Sequence, residues 1–360
     1  MMLLGVVLHA SISYTSLPSW PFRDNPQSPL LNGFVFGVHA FRMPLFFMVA
    51  GFFGALLFVR RGASGLVTNR LGRVLVPLVA AWLLLLPFAR FGFAFAMDVA
   101  RPLTMRTVIG SIFQRNLMHL WFLYDLLFLY AAAVLVASAW PRLASWRGGA
   151  LGRAYQAIGS SPLGPLVWAI PTTATLLLMP RGVLVTVTGL RPDVRALLAY
   201  GVFFAFGWAL YAHADQLAIW RRRAWPFTIA GALLLIPYLV LIRGGAPWSV
   251  RHLLAAMTGA LIAWLMTLGI TGLAVRYLDR PIPTARYLSD ASYWMYLVHL
   301  PLVIWVAGLL RGVAIPAVVK AALVLVAVVP VLLISYRYGV RSTVIGAWLN
   351  GRRLPREVGS

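Results

Sequence analysis

Apolar runs long enough to cross a bilayer recur along the whole chain, separated by turn-rich breaks. LVPLVAAWLLLLPF, at 75–88, is typical. Continuous runs of this kind do not fit the alternating strands of roughly ten residues that build an outer-membrane barrel. The expected fold class is therefore all-α: a polytopic integral membrane protein with about ten transmembrane helices in one bundle. Composition agrees, since 61% of the 360 residues are hydrophobic and only 11% are charged, too few to cover a soluble protein of this length. MMLLGVVLHASISY at the start lacks a basic leader and a small-residue cleavage site, so a cleavable signal peptide is not expected.

The periodic apolar segments predict spans at 1–16, 33–59, 70–89, 118–139, 163–179, 195–212, 225–242, 251–275, 291–311 and 314–335. The domain organisation expected from them is a transmembrane domain over 1–336 followed by a basic cytoplasmic tail over 337–360. An even number of spans places both termini on one side. Alternate connections on that side carry eighteen arginines: Arg60, Arg61, Arg70, Arg73, Arg142, Arg147, Arg153, Arg221 to Arg223, Arg276, Arg280, Arg286 and five from Arg337 onward. The other side carries eleven, including Arg23, Arg101, Arg106 and Arg115, while Arg42 and Lys320 lie inside spans. Positive charge concentrates on the cytoplasmic side of a membrane protein, so both termini are expected there, in a bacterial inner membrane. The connections 17–32 and 90–117 then face outward and can shape a substrate entrance. PRGVLVTVTGLRP, at 180–192, is too short to cross and reads as an interfacial or re-entrant piece.

The formal charge of +23 resembles a nucleic-acid binder's, but its thirty arginines and one lysine are spread over loops, and no nucleic-acid partner is expected. With no cysteine, thiol nucleophiles, disulfides and thiolate metal sites are excluded. No metal-binding histidine pair, phosphate-binding glycine loop or Gly-x-Ser-x-Gly elbow is present. The absence of an internal repeat weighs against an inverted-repeat transporter.

What remains is a small set of ionisable groups inside apolar segments, where they are costly and usually face a bundle interior or cavity. His9 lies on the order of 13 Å into the first helix at 1.5 Å of rise per residue. It is either a proton acceptor or a neutral imidazole bonded to a neighbouring helix, and Ser13, one turn on, shares its face. In HAFRMPLFFMVAGFF, His39 and Arg42 are three apart and share a face, and Arg42 can hold an anion. Arg70 and Arg73 likewise share a face; two guanidinium forks side by side suit phosphate, although a single arginine there reads first as a topological anchor. HLWFLYD contributes His119 and a buried carboxylate, Asp125, on different helix faces. In LSDASYWMYLVHLP, Asp290 is expected to cap a helix, and Ser292, Tyr296 and His299 form a polar stripe along it.

Four of these stretches together resemble the membrane acyltransferase family 3: the mid-helix His9; FFMVAG at 46–51, with Ala50 where the family usually has Ser, followed by Arg70 and Arg73; HLWFL at 119–123; and SYWMYLVHLP at 292–301. Within the family, MLLGVVLHASISYTS and HAFRMPLFFMVAGFF are most similar to the group implicated in succinylating osmoregulated periplasmic glucans. The resemblance implies a ten-helix fold, an acyl-CoA donor (succinyl-CoA or acetyl-CoA) on the cytoplasmic side, a periplasmic glucan or other polysaccharide acceptor, His9 as the catalytic residue, and Arg70 and Arg73 for donor binding. The family's first helix usually carries an Arg with ten residues between it and the His, a position that here precedes Met1. An upstream extension carrying that Arg, or replacement of its role by Arg42 or another cation, is the expectation.

On this reading neutral His9 accepts the proton of a sugar hydroxyl as it attacks a thioester, directly or through an acyl-His9 intermediate. His39, Arg42 or His299 stabilises the oxyanion or binds the acyl group, and Ser13, His119, Asp125 and Tyr296 are further polar candidates. Acyl-CoA is a co-substrate, no metal or permanently bound cofactor is expected, and the partners are membrane lipid, acyl-CoA and the glycan; a homo-oligomer stays open. The rivals are a transporter or flippase for an anionic lipid or glycan, and a structural membrane subunit whose polar groups pin helix packing.

Overall fold

The computed structural model describes residues 2–17, 20–99, 104–112, 116–140, 149–244 and 246–351. Arg101, Arg115, Arg142, Arg147 and the last three arginines of the expected tail lie outside them. Among the described residues every regular element is a helix, with one isolated β-bridge between Asn116 and Gly189.

In chain order the helices are α1 (Met2–Ile12), α2 (Pro29–Arg70), α3 (Val76–Ala96), α4 (Met105–Ile112), α5 (Trp121–Ala139), α6 (Gly149–Ser160), α7 (Gly164–Leu177), α8 (Val194–Ala212), α9 (Gln216–Leu241), α10 (Val250–Tyr277), α11 (Pro283–Leu309), α12 (Ala317–Ser335) and α13 (Val344–Asn350). Three of their described starts carry a side-chain cap. Ser28 caps α2 through Leu31 N–H, Asp193 caps α8 through Arg195 N–H, and Ser249 caps α10 through His252 N–H.

Among the described residues, seven stretches are long and apolar enough to cross a membrane, so the count of ten is not confirmed. Two expected spans are shorter as helices: 1–16 forms α1, of 11 residues, and 163–179 forms α7, of 14 residues with Pro171 inside it. Roughly 17–25 residues are needed to cross. Two others, 33–59 and 70–89, run together in one helical stretch, Pro29–Ala96. That stretch is broken at Gly62, whose φ of 68° and ψ of −175° suit a residue without a side chain, and loosened by a π-helical turn at Leu71–Leu75.

Asp290 is not a cap. Its helix begins earlier, at Pro283 after Ile282, because proline at the first turn starts a helix well, and Asp290 lies two turns inside α11. Segment 180–192 does not cross as a helix. After a single turn at Pro180–Gly182 it packs into the bundle, where the carbonyls of Leu184, Val185 and Leu190 accept bonds from His39, Tyr200 and Tyr124. Of the expected tail, Tyr336–Val340 forms a second π turn and α13 folds back toward the turn that carries Arg73.

Helices α1 and α11 pack against each other, with α2 and α12 on α1 and α3 on α11. One long-range tie crosses this arrangement. Buried Lys320 of α12 donates to Asp24 Oδ2 at 2.6 Å and to the Asn25 carbonyl at 2.7 Å, fixing the connection between α1 and α2.

Candidate active site

The centre of the site is a pair of histidines from α1 and α11. His9 Nδ1 lies 2.8 Å from His299 Nε2. The other ring nitrogen of His299 faces two carbonyls, those of Tyr296 at 2.7 Å and Met295 at 3.0 Å. A carbonyl only accepts, so His299 Nδ1 carries the hydrogen, and in the neutral ring Nε2 carries the lone pair. His9 Nδ1–H must then be the donor to His299, which leaves His9 Nε2 as its basic nitrogen. His299 sits one turn beyond Met295, so the carbonyl that orients it belongs to its own helix. α11 therefore fixes the tautomer of both rings.

A third imidazole joins them from the turn that precedes α5. His119 Nε2 donates to the Leu297 carbonyl at 3.0 Å, Tyr296 Oη donates to the His119 carbonyl at 2.7 Å, and the His119 ring meets His299 edge-on at 5.2 Å. His119 Nδ1 is buried without a hydrogen-bond partner. The short Met118–Leu120 turn thus gives its backbone to Tyr296 and its ring to the cluster.

Arg42 brings a cation to the same place. Its guanidinium lies against Gly5, one turn before His9, where a Cβ on residue 5 would fall 2.6 Å from Arg42 Nη1. Gly5 therefore makes room for Arg42 beside His9. Arg42 is buried, its Nε has no partner, and none of the ion pairs among the described residues includes it. A buried cation with no carboxylate is costly unless an anion or a developing negative charge arrives. Gly5, His9, Arg42, His119, Tyr296 and His299 line a cavity of about 30 Å3, enough for a water or a hydroxyl group.

A second, wider cavity of about 510 Å3 lies next to the first, and both are bordered by Met2 and Phe122. It is lined by Arg60, Arg61, Asn69, Arg70 and Arg73. Two tyrosines shape it: Arg70 stacks over the Tyr130 ring at 4.3 Å, and Tyr293 Oη donates to the Arg73 carbonyl at 2.7 Å. One fork nitrogen of Arg73 is committed to the Leu349 carbonyl of α13 at 2.8 Å. The Gly62 break and the π turn bring this arginine group to one mouth, the kind of lining that binds phosphates.

Of the residues singled out from sequence, His9, Arg42, His119, Tyr296 and His299 meet at the small cavity, and Arg70 and Arg73 at the large one. Three lie elsewhere. His39 bonds the Leu184 carbonyl at 3.1 Å and lies 3.3 Å from Thr186 Oγ1, away from both cavities. Asp125 is buried in α5 with Oδ2 unpartnered, and Ser13, in the turn after α1, accepts a hydrogen bond from Trp20 Nε1 at 3.0 Å. Sequence reading missed Gly5, Arg60, Arg61, Asn69, Tyr130 and Tyr293 as site residues. The Arg60–Arg61 pair, nine residues before Arg70, was the one legible signal among them. It also missed Trp20, which stacks on His9 with centroids 5.8 Å apart.

Residues 1–337 match the family described as acyltransferase domain. Among curated proteins the chain is similar to glucans biosynthesis protein C of Salmonella gallinarum, at 25% identity over 323 residues, covering 85% of this chain and 80% of the relative. The proteins of the same name from Salmonella heidelberg and Salmonella typhi match at the same identity and coverage. No solved structure matches the chain.

Proposed function

Because the chain belongs to the acyltransferase family 3, we propose that it transfers an acyl group, succinyl in the first instance, from acyl-CoA to a hydroxyl of a periplasmic glucan across a bacterial inner membrane. The observation that supports this reading is the adjacency of two unlike cavities that share Met2 and Phe122 in their walls: an arginine-lined chamber, and a small chamber around an oriented histidine. The names of the Salmonella relatives support a glucan as the acceptor.

In this mechanism the phosphates of the donor stay with Arg60, Arg61, Arg70 and Arg73, and the thioester reaches past Phe122 to the small cavity. Their charge never crosses the membrane. A sugar hydroxyl gives its proton to His9 Nε2 while its oxygen attacks the thioester carbonyl. Collapse of the tetrahedral adduct leaves a new C–O bond, breaks the C–S bond and sends the proton from His9 to the departing thiolate. His299, through His9 Nδ1, holds the ring in the required tautomer and spreads the charge that appears on it. Arg42, without a carboxylate of its own, stabilises the oxyanion or holds the free carboxylate of a succinyl group. His39 has no part in the chemistry and positions the 183–188 segment.

The test is mass spectrometry of periplasmic glucans from cells carrying the active protein or its His9→Gln variant. A succinyl or acetyl increment present with the first and lost with the second is expected. Glucans that carry no increment in either culture would remove the proposed acceptor, and full acylation by His9→Gln would remove His9 from the mechanism.

A further inference from the structure

Trp20 covers a side of His9 that neither cavity reaches. It belongs to the connection between α1 and α2, beyond the C-terminal end of α1, whereas Met2 at the opposite end of α1 borders both cavities. The indole lies nearly parallel to the imidazole, at 26° with centroids 5.8 Å apart. It is held on two further sides, by the bond from Nε1 to the buried Ser13 hydroxyl and by the ring of Phe93, edge-on at 5.3 Å. The connection is anchored nearby, where Asp24 N–H donates to the Ser13 carbonyl at 2.9 Å and Lys320 holds the Asp24 carboxylate. Trp20 itself is partly exposed although its ring is stacked on His9.

A histidine that takes a proton from a sugar hydroxyl takes one from water as readily, and a thioester beside it is then hydrolysed. A donor seated in the arginine-lined chamber blocks one approach to His9. The cavity of about 30 Å3 has no space for a sugar ring, so an acceptor has to come to His9 from another side, and Trp20 occupies one. Resting on the acyltransfer reading above, we infer that Trp20 is a positioning residue on the acceptor side: its indole seals His9 from water at the α1–α2 connection, and the acceptor reaches His9 by displacing it. The acceptor class that fits is a pyranose, which offers the indole an apolar C–H face while presenting a hydroxyl at its edge.

The natural absence of cysteine makes the seal directly measurable, because His9→Cys introduces the protein's single thiol. Its modification by a membrane-impermeant, negatively charged methanethiosulfonate, added on the side where 13–28 lies, is followed by intact mass in reconstituted vesicles. Adding Trp20→Ala is expected to speed modification by about tenfold or more, since thiol reactivity follows exposure. Ser13→Ala, which frees the indole without removing it, gives a smaller increase, and Trp20→Phe stays near the parent rate. Equal rates in the parent, the Trp20→Ala and the Ser13→Ala proteins would overturn the seal. A second readout uses His9 intact: Trp20→Ala raises acceptor-free hydrolysis of succinyl-CoA relative to transfer, and an unchanged ratio also counts against it. If the unsubstituted chain turns over no thioester, the acyltransfer reading fails while the labelling rates still decide the seal.

Discussion

At His9 the decisive property is direction. An imidazole in an apolar helix has two nitrogens, and only the neighbours decide which is basic. Here two carbonyls of α11 set His299, and His299 sets His9. His9→Gln and His9→Ala should abolish acyl transfer in folded, membrane-inserted protein, a loss of about 10²–10⁴ for the proton transfer itself, measured as product formed per mole of detergent-purified enzyme. His299→Ala removes the acceptor that orients His9 and should lower kcat more than it raises KM for acyl-CoA, a split that initial-rate kinetics reads. Gly5→Ala is the subtler probe. Its new Cβ meets only the end of a flexible side chain, Arg42 Nη1, so the protein folds while the guanidinium shifts. Reduced kcat with unchanged thermal stability is the expected result.

At the scale of elements, the donor chamber depends on a break that apolar periodicity alone does not reveal. Gly62 adopts a backbone conformation open essentially to glycine alone, with no atom within 4 Å of where a side chain would begin. Space is therefore not the obstacle to substitution; backbone strain is. Gly62→Ala should cost about 1–3 kcal/mol and, by turning Arg60 and Arg61 away from Arg70 and Arg73, raise KM for acyl-CoA more than it lowers kcat. A different element end depends on charge. Arg195 hydrogen-bonds the Asp193 carboxylate and holds it below the usual carboxylate range. Its folded pKa is depressed, so the cap's contribution is present above the unfolded value and is lost as pH falls through the folded one. Asp193→Ala should destabilise the protein by about 1 kcal/mol at neutral pH and by less in acid, which thermal melts at the two pH values can compare.

For the whole molecule, the Lys320–Asp24 pair joins residues 296 apart and holds the connection that carries Trp20. Removing one partner leaves a buried charge without its counterpart. Lys320→Met or Asp24→Asn should each cost about 3–5 kcal/mol, and the double variant less than the sum, as denaturation of the reconstituted protein would measure. That both residues lie where they can meet was not legible in the sequence, because Asp24 sits in a long connection and Lys320 in an apolar helix. Much else was legible. Apolar run length identified an all-helical membrane protein, and four spaced stretches identified the family, because both signals are local patterns of residue type. The number of spans was not, because α1 and α7 stop short and Gly62 bends a stretch that otherwise continues.

The sequence by itself determined the class of the molecule, its family and which ionisable residues stand in apolar surroundings; hydrophobic run length and motif spacing need no knowledge of what packs where. Only the tertiary structure decided that His299 rather than His39 faces His9, that Arg42 lies over Gly5 with no carboxylate, and that Trp20 covers the imidazole. Those facts depend on the rotation of α1, α2 and α11 about their own axes. In a nearly uniform apolar helix the sequence leaves that angle undetermined, and packing against the neighbouring helices fixes it.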